Sequence, residues 1–280
     1  MVMTDRVPAS TGGSGRRRTY LMCPPTYFDV TYRINPWMEP SGPGPDRAEA
    51  MAQWQGIVDA YRAEGHTVEI AEPAPDLPDL VFTANAGLVI DGRVLVSRFL
   101  HPERATEPAV AATWFRDLGF TEVTVATSIN EGEGDLLPAG DVILAASGFR
   151  TEVAAHAEAA EFFGRPVVSL ELVDDRLYHL DTALAVLTES RIAYWPDAFS
   201  TESQRILAER VPDALIATRA DALAFGLNAC SDGRRVVLPA GAPGLSAQLT
   251  AAGFTVVTLD TSELQKAGGA VKCCTLELRC

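Results

Sequence analysis

The feature that most constrains this chain is a unit of about 45–50 residues that recurs along it. Each unit reads as two short strands in a hairpin, then a polar, alanine-rich helical segment, then another short strand. Hairpins are predicted at Asp79–Ser97, turning at Asp91-Gly92, and at Glu131–Ala145, turning near Pro138-Ala139-Gly140. Two more are predicted at Leu180–Trp195 and at Leu227–Pro239, the latter turning at Asp232-Gly233. Asp-Gly between β-branched runs is a strong hairpin signal. Helix-like stretches follow at Glu107–Leu118, Glu152–Phe163, Ser200–Arg210 and Leu245–Ala252, and an earlier one is Arg47–Glu64. They lead into β-rich runs at Glu122–Ala126, Pro166–Leu170, Ala214–Thr218, Thr255–Leu259 and His66–Ile70. Gly65, Gly119, Gly164 and Gly253 stand where helix C-caps are expected.

Asn85, Asp135, Asp181, Asn228 and Cys273 mark the starts of successive hairpins, at spacings of 50, 46, 47 and 45 residues. In a closed ring of repeats such positions converge on the axis, which gathers polar residues from distant sequence into one pocket. A doubly wound α/β sheet is the alternative, since it also alternates strands and helices. It does not predict a hairpin inside every unit, so the ring is favoured.

Composition narrows the function. Apolar residues make up 47% of the chain and charged ones 21%, which suits a folded core. The net charge of −14 comes with no basic stripe, which argues against nucleic acid, whereas a carboxylate-lined pocket would attract a cationic substrate. No apolar run reaches the length of a membrane span. Five cysteines with no C-x-x-C pair read as reduced thiols of a cytoplasmic protein. No histidine has a second at helical ligand spacing, so no metal is expected. Residues 1–18, through Arg16-Arg17-Arg18, are expected to form a flexible tail ahead of a single domain over 19–280. Pro24-Pro25 interrupts the apolar run that a twin-arginine signal would need. The sequence is compatible with a homo-oligomer.

Three segments carry candidate chemistry. Cys273 follows Gly268-Gly269, where a glycine-rich approach brings backbone close to a ligand, although a buried structural thiol is the alternative. Cys274 would point to the opposite face of a strand. His179 and Asp181, two apart at a hairpin head, would share a face, and a carboxylate orients an imidazole and raises its proton affinity. Glu131-Gly132-Glu133-Gly134-Asp135 is either an acidic surface loop or an inward-facing site. Asn85 and Asn228 each line the pocket or cap a turn.

Phe82–Gly87, Glu131–Asp135, His179-Leu180-Asp181-Thr182 and the ending with Cys273, Thr275 and Leu276 occur here in a fixed order. Together they resemble the guanidino-group-modifying enzymes, which include arginine deiminases, arginine dihydrolases, dimethylarginine dimethylaminohydrolases and amidinotransferases. The resemblance runs from about Pro24 to Leu278. It implies a five-bladed α/β propeller of ββαβ-type units around a central site, and a small guanidino substrate with no metal or organic cofactor. It implies that Cys273 is the nucleophile, His179 the acid–base residue and Asp181 a bidentate grip on the guanidinium. Glu131 is similar to the acid of the family's Glu-Gly-Gly-Asp motif. The run here has one extra residue, which leaves Glu133 as the other candidate. The substrate guanidinium would then lie between Asp181 and Glu131.

Asn85, where arginine deiminases carry Asp, and Asn35 within Ile34-Asn35-Pro36-Trp37-Met38 look like the arginine dihydrolases. Those enzymes convert arginine to ornithine, ammonia and carbon dioxide. The sequence therefore favours a dihydrolase, with a dimethylarginine hydrolase or a deiminase as the alternative. Amidino transfer to an amine and a non-catalytic binding propeller are further readings. Arg98 is the first candidate for the substrate α-carboxylate, ahead of Arg33 and Arg104.

Overall fold

A computed structural model describes residues 16–280, and among them fifteen strands make five three-stranded sheets, the blades of a propeller. The strands are β1 Thr19–Met22, β2 Thr67–Ile70, β3 Gly87–Ile90, β4 Arg93–Val96, β5 Glu122–Val125, β6 Leu136–Ala139, β7 Val142–Ser147 and β8 Val167–Glu171. They continue as β9 Leu184–Thr188, β10 Arg191–Tyr194, β11 Leu215–Ile216, β12 Cys230–Ser231, β13 Arg235–Pro239, β14 Thr255–Leu259 and β15 Leu276–Glu277. Four blades run in chain order, β3-β4-β5, β6-β7-β8, β9-β10-β11 and β12-β13-β14, and the fifth is β15-β1-β2. The first two strands of each blade pair antiparallel, and a helical crossover brings the third back parallel to the second.

The local causes are visible in the sequence. Asp91 and Gly92 both have positive φ (52° and 75°), the backbone of a tight hairpin turn whose twist matches its strands. Helix Arg47–Ala63 buries Ala50, Gln53, Trp54, Ile57, Val58 and Tyr61, a single stripe at helical spacing. It starts where Asp46 accepts from the N–H groups of Ala48 and Glu49. The inner strand β3 is buried throughout, whereas β5 on the rim is largely exposed. Of the expected flexible tail, residues 1–15 lie outside the described residues, and the Arg18 N–H already donates to His66 Nδ1 at 3.2 Å.

The hairpin heads differ from the sequence expectation. Residues 83–86 and 132–134 are 3-10 turns, and Leu180–Ala183 is one turn of α-helix. Residues 268–275 also turn rather than extend, with Thr275 N–H donating to Lys272 O at 2.9 Å. Strand alternation therefore governs neither His179 with Asp181 nor Cys273 with Cys274. The physical reason is that these heads bury polar side chains, and a tight turn offers each of them a nearby backbone partner.

The heads also bond to one another in a closed circuit about the axis. Asn85 Nδ2 donates to Glu131 O (3.2 Å), Leu180 N to Asp135 Oδ1 (3.0 Å), Asn228 Nδ2 to Asp181 O (3.1 Å), Cys273 N to Asn228 Oδ1 (3.1 Å) and Ala84 N to Cys273 O (3.0 Å). Each link joins one repeat to the next. The five landmarks meet as the spacing predicts.

Candidate active site

Cys273 sits at the axis, only 2% exposed. Its Sγ lies 3.3 Å from Asp181 Oδ2 and 3.1 Å from Asn228 Nδ2. The Asn228 Oδ1 accepts from the N–H groups of both Ala270 and Cys273, so one amide fixes the nucleophile's loop and its sulfur. The approach must be glycine at residue 269, where a Cβ would stand 2.4 Å from Phe82 Cε1 and 3.0 Å from Cys273 Cβ. Burial, and then the neighbouring Asp181, push the Cys273 thiol well above its ordinary pKa. Burial likewise pushes Asp181 up to about 7, against the opposing charge of Lys272. The thiol proton thus bridges sulfur and carboxylate. A cation arriving beside them favours both anions, and the thiolate is the reactive form.

His179 Nε2 bonds Glu131 Oε2 at 2.9 Å. Its Nδ1 is buried against Gly134, with no partner among the described residues. Glu131 is fully buried, and Arg150 Nη1 reaches both of its oxygens at 2.9 Å, while Arg104 Nη1 lies 3.4 Å from Oε2. Burial opposes ionisation of Glu131. Arg150, then His179 and Arg104, outweigh burial and hold the carboxyl well below the usual range. A fixed carboxylate on Nε2 requires a proton there, which leaves Nδ1 as the lone pair free to carry protons. No hydrogen bond among the described residues joins His179 to Cys273.

The two glutamates of the acidic run part company. Glu131 faces His179, and Glu133 faces Lys272 (2.8 Å) and Arg279. Both Glu131 oxygens are already engaged by Arg150 and His179, which leaves Glu131 less capacity for the guanidinium expected between it and Asp181. A carboxylate with spare capacity is Asp79, which in the sequence reads only as the start of a hairpin. Its Oδ2 accepts from Tyr32 Oη at 2.9 Å, and its buried Oδ1 has no partner among the described residues. Arg150 is a second site residue that the sequence does not disclose. Neither belongs to a repeat landmark, and nothing in local pattern marks them.

The remaining candidates are partly committed elsewhere. Asn85 is buried, and its Oδ1 accepts from Arg104 Nη1 at 3.1 Å. Asn35 spans Ala267 O with Nδ2 and the N–H groups of Trp37 and Met38 with Oδ1, so it ties the loop before the first helix to the approach of Cys273. Arg104 cannot serve an α-carboxylate, because it already chelates Glu107 through Nε and Nη2 at 2.8 Å each. Arg98 is exposed, its backbone bridging to Asn130 beside Glu131, and Arg33 is exposed in the segment between β1 and the first helix. No group of His, Cys, Asp and Glu able to hold a metal occurs among the described residues. No helix there is long and apolar enough to cross a membrane.

A five-bladed ring with a cysteine, a histidine and carboxylates at its axis defines the guanidino-group-modifying hydrolases, which act on amidine carbon–nitrogen bonds. A family model described as N,N dimethylarginine dimethylhydrolase, eukaryotic, matches residues 44–280. The chain belongs to this dimethylarginine dimethylaminohydrolase family. It is 52% identical to N(G),N(G)-dimethylarginine dimethylaminohydrolase of Mycobacterium tuberculosis, over 99% of this chain and 93% of that one. It is 40% identical to the bifunctional arginine dihydrolase/ornithine cyclodeaminase AgrE of a Nostoc species, covering 94% of this chain but 38% of that longer protein. The crystal structure of the N-terminal domain of ArgZ, a cyanobacterial arginine dihydrolase, in a cysteine-to-serine mutant bound to substrate, superposes with a TM-score of 0.89 at 37% identity, covering 94% of this chain and 98% of that one.

Proposed function

We propose that the chain hydrolyses asymmetric dimethylarginine to citrulline and dimethylamine through a covalent intermediate on Cys273. The observation that carries the chemistry is the 3.3 Å approach of Asp181 Oδ2 to Cys273 Sγ, a carboxylate set to receive a guanidinium directly beside a nucleophile. The guanidinium would lie against Asp181, with its outer face towards the spare oxygen of Asp79, and the thiol proton would pass to His179 Nδ1. Sulfur then adds to the guanidinium carbon. His179 Nδ1 delivers a proton to the dimethylated nitrogen as that carbon–nitrogen bond breaks. The resulting thiouronium is attacked by water, which gives its proton to His179. The carbon–sulfur bond breaks as the hydroxyl proton passes to sulfur, citrulline leaves, and His179 gives up its proton to solvent.

The choice of substrate departs from the sequence preference for a dihydrolase. Identity of 52% over almost the whole chain to a dimethylarginine hydrolase, against 40% to a dihydrolase, supports the change. Asn85 supports it too, since its Oδ1 is taken by Arg104 and one Nδ2 hydrogen by Glu131 O. The second reading, arginine to ornithine, keeps the support of the Phe82–Gly87 segment and of the ArgZ superposition. Incubation with each substrate separately decides. Dimethylamine from dimethylarginine supports the first reading, ornithine from arginine the second, and no product from either overturns both. The chain is proposed to act in the cytoplasm on a free amino acid.

A further inference from the structure

The acidic run sends its second glutamate to the residue that precedes the nucleophile. Glu133 is fully buried, with Oε2 accepting from Lys272 Nζ at 2.8 Å and Oε1 from Arg279. The same Lys272 ammonium donates to Thr275 O at 3.0 Å, and the Lys272 N–H donates to Asn228 O at 3.2 Å. A single ammonium thus staples the turn on both sides of Cys273. The segment of residues 131–134 therefore serves two elements, holding His179 through Glu131 and the nucleophile's turn through Glu133.

We propose that Glu133 and Lys272 are positioning residues for the nucleophile: Glu133 anchors the Lys272 ammonium, which fixes the turn of residues 272–275 and keeps a positive charge beside the Asp181–Cys273 pair. This rests on the reading of Cys273 as the nucleophile. Stability alone is a poor account of such a pair, because buried ion pairs are often replaceable by apolar groups of similar volume without loss. An apolar pair would not supply the cation. Lys272 is the strongest influence opposing burial at Asp181, and Glu133 pushes the other way, so both members of the pair bear on Asp181.

The test uses the full chain with Lys272→Met, Lys272→Arg and Glu133→Gln. Two readouts are taken across pH: kcat and KM on the substrate that wild type turns over, and the rate at which iodoacetamide alkylates Cys273, located by peptide mass spectrometry. Lys272→Met is expected to lower kcat about 100-fold with KM changed less than about threefold, and to move both the acid limb of kcat/KM and the alkylation inflection up by about one pH unit. Lys272→Arg is expected to restore most of kcat and the wild-type inflection, and Glu133→Gln to lower kcat about tenfold. A folded Lys272→Met protein whose limb and inflection coincide with those of wild type overturns the proposal, whatever its kcat. If that variant does not fold, the same measurements on Lys272→Gln decide in the same terms. Absence of wild-type turnover on either substrate counts against the proposed function, whereas the alkylation inflection reports on Lys272 independently of turnover.

Discussion

Asp181 and Cys273 share one amide: Asn228 Nδ2 donates both to the backbone carbonyl of Asp181 and to the sulfur of Cys273, each at 3.1 Å. The carboxylate and the thiol are thereby fixed as a unit, in surroundings too dry for either to ionise readily without a cation. The nucleophile is masked until a guanidinium arrives, and that cation is the agent that unmasks it.

Cys273→Ser is expected to reduce turnover at least about 10³-fold, because a serine hydroxyl beside Asp181 has no accessible alkoxide. Calorimetry should still detect substrate binding. Cys274→Ser should retain turnover at reduced stability, since Cys274 is fully buried in the apolar cluster under the first helix. Activity surviving in Cys273→Ser would sink the nucleophile assignment.

Asp181 makes activity and stability respond oppositely to pH. Its folded pKa, near 7, lies above that of an unfolded aspartate. Its contribution to stability is therefore complete below the unfolded value and is lost as pH rises towards 7. Asp181→Asn removes the buried charge, so its Tm should exceed that of wild type by about 3–6 °C at pH 8, with the difference vanishing near pH 4. The same variant should have almost no activity. In wild type, kcat/KM should fall as pH drops below about 7, with kcat less affected because bound guanidinium lowers the Asp181 pKa. A Tm difference independent of pH would contradict this picture.

Glu131→Gln leaves Arg150 as a buried cation without its main anionic partner, and the expected loss of stability is about 3–5 kcal/mol. The amide also no longer requires the proton to sit on His179 Nε2, so kcat should fall about 10³-fold even in refolded protein. Urea titration and single-turnover kinetics measure the two effects separately. Normal kcat in a folded Glu131→Gln protein would remove His179 from the mechanism described.

Asn228→Ala strips an acceptor from two buried N–H groups and a donor from the sulfur. An expected cost of about 2–3 kcal/mol in stability accompanies a kcat lowered about 100-fold. Asn228→Asp should slow Cys273 alkylation further, because a second carboxylate disfavours the thiolate. Faster alkylation in Asn228→Asp would show that the amide does not support the thiolate.

The ring is legible in the sequence because its evidence is repetition. Asp-Gly turns, helix stripes and the even spacing from Asn85 to Cys273 each report a local cause, and together they place those residues at one axis. Roles that arise only when two repeats meet are not legible. Arg150 follows a hairpin as an ordinary loop arginine would, and only the fold lays it across Glu131 and over the Tyr178 ring, 4.6 Å from its centroid. Asp79 is similar, since its free oxygen is defined by what fails to reach it. The heads themselves read as strands because a hydrophobic run gives no sign that its polar residues will be satisfied by turns.

In the fifth blade, β15 pairs with β1 through Tyr20↔Glu277 and Leu21↔Leu276, and Cys273 lies just ahead of β15. β1 is made some 250 residues before β15, so the β1–β2 pair has one open edge until the end of the chain supplies its third strand. The turn that seats Cys273 leads directly into that last pairing. A chain in which β15 has not paired with β1 would carry the histidine and both carboxylates around an unclosed ring, so catalytic competence would report closure of that ring.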